Sequence, residues 1–423
     1  MLLQFAVENF RSIRERAFLS LEPSKSDKEH SENLIEKNQH LGLKSIAIYG
    51  ANASGKSNLL KALSAALIAV RTSASRQVTD SIPLMTPFKF NSDSAQKPCS
   101  FEFTFIADDG QKYVYGFSAD SKKVHEEYLY YYTSAKASRI FDRYDDTLEF
   151  NKVDEKELRP LAERNTSNKL FISTATTWNC QKTKVPFEWL AKKIDVFSDL
   201  QPLEGYSIGI YAGDTENQMK QFTLHLLQQA DVNIDGYSVE VHQSDLPPLN
   251  NPILSALIQN NVISGTSPKQ IKINTEHTIE DTSGNKHKYF LDLRDESLGT
   301  QQLFMLGPIL KTVFEQGKTI IIDEIDRSLH SFLVKYLIEL FASKNNPHHA
   351  QLIFSTHDTN LLSLDIFRRD EIYFVEKNPK SAETSLYSLD EFSVRKSENI
   401  EKGYLLGRYG AIPFLHSEAN LWA

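Results

Sequence analysis

The sequence predicts an α/β fold: a mixed sheet flanked by helices, joined to an antiparallel β region and a helical insertion lobe. Three observations carry that prediction. A glycine-rich loop, "YGANASGKSN" from Tyr49 to Asn58, stands between a strand-like run and a helix-like run. A second apolar run, "KTIIIDEID", ends in paired acids at Asp323 and Glu324. Lys56 in the first and Asp323 in the second lie roughly 270 residues apart, far beyond the dozen or so residues that a simple βαβ crossover needs. A large segment is therefore inserted between two halves of one core.

Composition bounds the reading. With 423 residues, 40% of them hydrophobic, and modest Gly and Pro, the chain has the make-up of a cored globular protein of about two or three domains. The N-terminus, "MLLQFAVENFRSIRER", alternates apolar and polar residues and meets Asn, Arg and Glu too soon for the apolar core of a signal peptide. No run approaches the roughly 18 apolar residues of a membrane span, so no membrane is expected. Cys99 and Cys180 are too few and too isolated for a disulfide framework or a cysteine zinc site; they are expected as buried fillers in a protein of the reducing cytoplasm. A formal net charge of −8 argues against a protein that coats DNA non-specifically, since such binding is driven by Lys and Arg displacing counterions. A local basic patch is still compatible with it.

Residues 1–150 read as the first half of the core together with the antiparallel region. "KSIAIY" is a buried strand by its apolar run, and "KSNLLKALSAALIAV" has helical apolar spacing. Between them, Gly50 through Gly55-Lys56-Ser57 fits G-x-x-x-x-G-K-[ST] at every fixed position, in the strand–loop–helix setting that a phosphate-binding loop requires. Its glycines let backbone N–H groups along Gly50, Ala51, Asn52, Ala53, Ser54, Gly55, Lys56, Ser57 and Asn58 wrap phosphates. The helix N-terminus adds partial positive charge, Lys56 reaches the outer phosphates, and the Ser57 hydroxyl is placed to ligate Mg²⁺. A glycine-rich turn matching by chance is the competing reading, and the flanking strand and helix weigh against it. Further on, "SFEFTFIADDGQKYVYGFSAD" alternates apolar residues around Asp109-Gly110, the pattern of a β-hairpin, and "KVHEEYLYYY" and "RIFDRYDDTLEF" extend that sheet. Tyr128, Tyr130, Tyr131 and Tyr132 could form a base-stacking platform; alternate rings packing on a sheet is the favoured alternative.

Residues 151–235 read as the helical lobe, from the amphipathic segments "DEKELRPLAERN", "PFEWLAKKIDVF" and "ENQMKQFTLHLLQQA". They are short and lack sustained heptads, so long coiled-coil arms are not expected. Residues 236–423 form the second half of the core, opening on a stretch to about 290 with short strands. Thr319 to Ile322 is then a buried strand; Asp323 at its end would hold the Mg²⁺ shell, and Glu324 would orient or deprotonate an attacking water. An acidic turn after a strand is the bland alternative. "QLIFSTHD" gives a further buried strand, Gln351 to Ser355, ending at His357. Adjacent His348 and His349 project in different directions, which fits a solvated loop better than a metal site.

Together these motifs resemble the ABC-class ATPases, including the SMC, RecF and OLD-like families, in which N- and C-terminal segments build one ATPase head. The resemblance implies ATP as the nucleotide and gives further residues a role. "ESLGTQQLF" resembles the signature motif, with Ser297 and Gly299 opening a helix that completes the site of an opposing subunit. "DEIDRSLH" looks like Walker B running into the D-loop, with His330 where many ABC proteins carry an acid. His357 matches the switch histidine that senses the γ-phosphate. "LQFAVENFRSIRE" resembles the first strand and "NFRS" corner of RecF- and SMC-like heads, where Arg11 could approach a phosphate; a plain surface arginine is the equal alternative. No Q-loop glutamine is identified.

A narrower resemblance is to the bacterial AAA-type ABC ATPases of phage-defence operons, including subunits of PARIS-like and Septu-like systems. It is carried by "SFEFTF", "YVYGFSAD", "EEYLYYY", "RRDEIYFVEK" and "EKGYLLGRYGAIPFL". It implies a Mg²⁺-dependent ATPase with Lys56, Glu324 and His357 as catalytic residues, acting as a homodimer or higher homo-oligomer that controls a separately encoded effector such as a nuclease. OLD nucleases append a TOPRIM domain; about 65 residues follow His357 here, fewer than the 100 or more of a typical domain, so no intrinsic nuclease is expected. A RecF-like DNA-repair ATPase, with nucleic acid as partner, is the alternative.

Overall fold

The structure is a computed structural model that describes residues 1–133, 136–197, 207, 210–211, 218–229, 233–243, 269–327, 329–344, 346–396 and 398–412. Its strands, in chain order, are β1 (Leu2–Glu8), β2 (Ala17–Ser20), β3 (Leu34–Lys37), β4 (His40–Leu43), β5 (Ser45–Tyr49), β6 (Cys99–Ile106), β7 (Lys112–Ala119), β8 (Val124–Tyr132), β9 (Ala137–Tyr144), β10 (Thr147–Phe150), β11 (Ile194–Phe197), β12 (Gly236–Gln243), β13 (Lys269–Glu280), β14 (Lys286–Asp292), β15 (Thr319–Ile322), β16 (Gln351–Ser355), β17 (Ile372–Lys377) and β18 (Thr384–Ser388). The helices are α1 (Lys56–Thr72), α2 (Glu155–Ala162), α3 (Phe171–Thr177), α4 (Gln181–Lys192), α5 (Gln218–Gln229), α6 (Leu298–Gln316), α7 (Ser331–Ala342) and α8 (Ile400–Leu405).

The central sheet runs in the order β11-β15-β16-β5-β17-β18, parallel throughout except for β18 against β17. β5, β15 and β16 are buried at every residue, as expected of strands covered on both faces. Alternation along β5 sends Ile46 and Ile48 into one apolar cluster and Ala47 and Tyr49 into the other. The first cluster unites the sheet with α1, α4 and the seven-stranded antiparallel sheet β10-β9-β8-β7-β6-β1-β2; the second unites it with α6 and α7. The central sheet is thus the middle layer, and β16 lies between β5 and β15, so the chain leaves all three strands at one edge.

Within 151–235, α2, α3, α4 and α5 occupy the stretch expected to be helical, but β11 does too and joins the central sheet beside β15. Four residues, "IDVF", directly after an amphipathic helix are too few to show a strand period. The tyrosines of β8 divide by face. Tyr128 and Tyr130 bond through their hydroxyls to Glu102 and Asp142, while Tyr131 packs against the core. Cys99 and Cys180 are buried free thiols. Among the described residues no helix is long and apolar enough to cross a membrane.

Candidate functional site

The loop from β5 to α1 is shaped by residues that tolerate unusual backbone. Gly55, the residue before α1, has φ 116°, and Ala53 has φ 63°. A Cβ on Gly50 would stand 2.3 Å from the Val375 carbonyl oxygen, so glycine is required by close approach. Lys56, Ser57 and Asn58 form the first turn of α1; the Asn58 N–H bonds back to the Gly55 carbonyl at 2.9 Å, while those of Lys56 and Ser57 precede the first intrahelical bonds. Lys56 is buried, and its Nζ donates to the carbonyls of Gly50 at 2.6 Å and Ala51 at 3.2 Å, spanning the loop. Burial lowers its pKa to about 8, against the opposing pull of Asp323, Glu324 and Asp326. Those three carboxylates, all from the loop after β15, are the charges that favour its ammonium form.

The acids are held by β16. Asp323 is buried, and the Ser355 hydroxyl donates to its Oδ1 at 2.5 Å while accepting the Glu324 N–H at 2.8 Å. Glu324 has φ 50°, a strained value for a side-chain-bearing residue, fixed by that bond and by Ile325 N–H to the Ser355 carbonyl at 3.1 Å. The His357 N–H donates to Asp326 Oδ2 at 3.1 Å. Its ring is held below the usual histidine pKa, first by desolvation and then by the Lys56 charge, and so is neutral at pH 7. Two buried polar atoms here have no partner: Ser54 Oγ in the loop and Asp326 Oδ1.

The structure therefore brings the Gly50–Asn58 loop, Asp323, Glu324 and His357 to one edge of one sheet. Ser297 instead caps α6, accepting from the Thr300 N–H at 3.1 Å, and its hydrogen bonds are local; Gly299 lies in the first turn of the same helix. Leu298, between them, is 69% exposed. Arg11 is half-buried with φ 51° and stacks over Phe10 at 5.6 Å. Sequence reasoning does not single out Ser355 or Asp326. The available signal is position: a serine ending the strand before His357, and a carboxylate three residues beyond Asp323.

A hard cation fits these donors. Ser57 and Asp323 supply oxygen ligands of the kind Mg²⁺ prefers, with phosphates and water completing its shell. Among the described residues no three His, Cys, Asp or Glu side chains converge on a metal site of their own.

A parallel sheet with a glycine-rich phosphate-binding loop at its edge defines a P-loop nucleotide-binding domain. Residues 45–363 match the family described as "AAA domain, putative AbiEii toxin, Type IV TA system", and the chain belongs to that family. None of the curated proteins matches it. Among solved structures it is similar to the SMC head domain from Thermotoga maritima, 12% identical over 92% of this chain and 98% of that one, at a TM-score of 0.40. It is also similar to the Smc head domain with an extended coiled coil bound to the C-terminal domain of ScpA, derived from Pyrococcus furiosus (12% identity, 96% and 98% covered, TM-score 0.42). A third likeness is to the recombination mediator RecF-ATPrS (13% identity, 91% and 98% covered, TM-score 0.37).

Proposed function

We propose that the chain binds MgATP, hydrolyses it, and works as a nucleotide-gated homo-oligomeric switch. The observation that carries this reading is the buried Lys56 ammonium, set in a phosphate-binding loop and favoured by the charges of Asp323, Glu324 and Asp326. On binding, Lys56 exchanges the Gly50 and Ala51 carbonyls for phosphate oxygens, and the N–H groups of Lys56 and Ser57 at the start of α1 take the rest. Ser57 and Asp323 would hold Mg²⁺, whose charge would offset that of the phosphates. Glu324 orients and deprotonates the attacking water, its backbone fixed by the N–H bond to the Ser355 hydroxyl. Neutral His357 donates to the terminal phosphate. Ser297 and Gly299, on the exposed start of α6, act on nucleotide held by a second copy. The family's description names a toxin of a type IV toxin–antitoxin system; we extend the reading to bacterial anti-phage defence, where a separately encoded effector, such as a nuclease, is held or released by this switch.

Mass photometry of wild type and Glu324→Gln, with and without MgATP, tests it. Loss of the base traps the nucleotide-bound form, so ATP-dependent dimers or larger assemblies are expected in the variant. The same oligomer with and without ATP in both proteins would refute nucleotide gating.

A further inference from the structure

We propose that Thr384 and Ser12 are positioning residues for the phosphate-binding loop, acting through a directed chain of hydroxyl groups that aims the Gly55 N–H. The inference rests on the ATP-binding reading above; it adds Thr384, which no motif marks, and gives Ser12 of the "NFRS" corner a role. Thr384 opens β18, Ser12 follows β1, and Asn58 lies in the first turn of α1, so three distant segments meet. Asn58 Nδ2 donates to Ser12 Oγ at 2.8 Å. Ser12 and Thr384 hydroxyls are 2.8 Å apart, and Thr384 Oγ1 reaches the Ser54 carbonyl at 2.9 Å. Ser12, Ser54 and Thr384 are all buried.

Each hydroxyl has one proton, which fixes the direction of the chain. A carbonyl only accepts, so Thr384 gives its proton to Ser54; Ser12 then gives its own to Thr384 and accepts from Asn58. The chain ends on the peptide that joins Ser54 to Gly55. That peptide is trans and planar, so its C=O and N–H point in opposite directions. Holding the carbonyl toward Thr384 turns the Gly55 N–H the other way, into the loop that Lys56 spans. The packing has no slack: a Cβ on Gly55 would lie 2.3 Å from Thr384 Oγ1. The neighbourhood is braced from outside by Thr384 N–H to the Ser12 carbonyl at 2.7 Å and by Arg14 Nη1 to Glu383 Oε1 at 2.6 Å.

The test compares Thr384→Val, which keeps the shape and removes the proton, with Thr384→Ser, which restores it. ATP Kd, KM and kcat are measured beside thermal melting, with Lys56→Ala as control. Thr384→Val is expected to raise Kd and KM about tenfold with kcat within about twofold of wild type, and Thr384→Ser to return both toward wild type. Ser12→Ala should move KM the same way, and reads the chain from its other end if Thr384→Val does not fold. Thr384→Val binding ATP like wild type overturns the inference, as does failure of Thr384→Ser to rescue. If wild type binds ATP and Lys56→Ala does not, such a result sinks the hydroxyl chain alone; if wild type fails to bind ATP, the ATP reading falls first.

Discussion

Lys56 is a cation kept in an expensive place, and the consequence is a pH dependence. Burial pulls its pKa from 10.5 down to about 8, so the free protein holds an ammonium below that pH and loses it above. A bound triphosphate favours the ammonium and raises that pKa again, so binding above pH about 8 must take up a proton. ATP affinity is therefore expected to be flat between pH ~7 and about 8 and to weaken by up to about tenfold per pH unit above it, until the bound-state pKa is passed. The nucleotide does not mimic this, because a phosphate's own last proton leaves near pH ~6. Calorimetric titrations on both sides of that pH check the prediction; an affinity indifferent to alkaline pH removes Lys56 from the phosphates. Ser355 shows a different economy at this scale, one hydroxyl holding the Asp323 carboxylate and the Glu324 backbone N–H, and nothing in its residue type announces it.

At the scale of elements, what can be read in a sequence is what repeats or interrupts locally. β5, β15 and β16 declare themselves as short apolar runs, and the Gly50–Ser57 loop by its spacing, because each signal lies within a few residues. β11 does not, since a four-residue strand following α4 adds no period of its own. Ser12, Asn58 and Thr384 cannot be joined by pattern, for their meeting depends on three elements packing together. α6 offers a test of its own. Leu298 is its first residue, largely exposed, and flanked by the two signature residues. Leu298→Asp places a carboxylate at a helix N-terminus, where the dipole favours it, so stability should stay within about 0.5 kcal/mol of wild type. The same charge opposes a terminal phosphate presented by another copy. In the Glu324→Gln background this substitution is expected to abolish ATP-driven assembly while leaving ATP binding by the monomer intact. Assembly that persists unchanged excludes the start of α6 from the subunit contact.

At the scale of the molecule, the two large sheets must be held in one arrangement, because the N-terminal corner that carries Ser12 leaves β1 of one sheet and acts on a loop of the other. Gln351, the first residue of β16, makes that connection. Its Oε1 accepts the Leu2 N–H at 2.7 Å and the Thr319 hydroxyl at 3.1 Å, and its Nε2 donates to the carbonyls of Leu2 at 3.0 Å and Leu43 at 2.9 Å. The side chain is fully buried, so no water substitutes for it. Gln351→Leu keeps approximate volume but strands four polar groups, of which the Leu2 N–H and the two carbonyls are backbone and cannot be removed. An orphaned buried group costs about 1–3 kcal/mol, so a loss of roughly 3 kcal/mol or more is expected, read as an earlier denaturation midpoint. Hydrogen exchange at the Leu2 amide should quicken with it. Gln351 opens the strand and His357 lies beyond its other end, so the folded variant should bind ATP with near wild-type affinity. An unchanged midpoint would mean that apolar packing alone sets the two sheets; lost affinity at full stability would mean that the start of β16 belongs to the site.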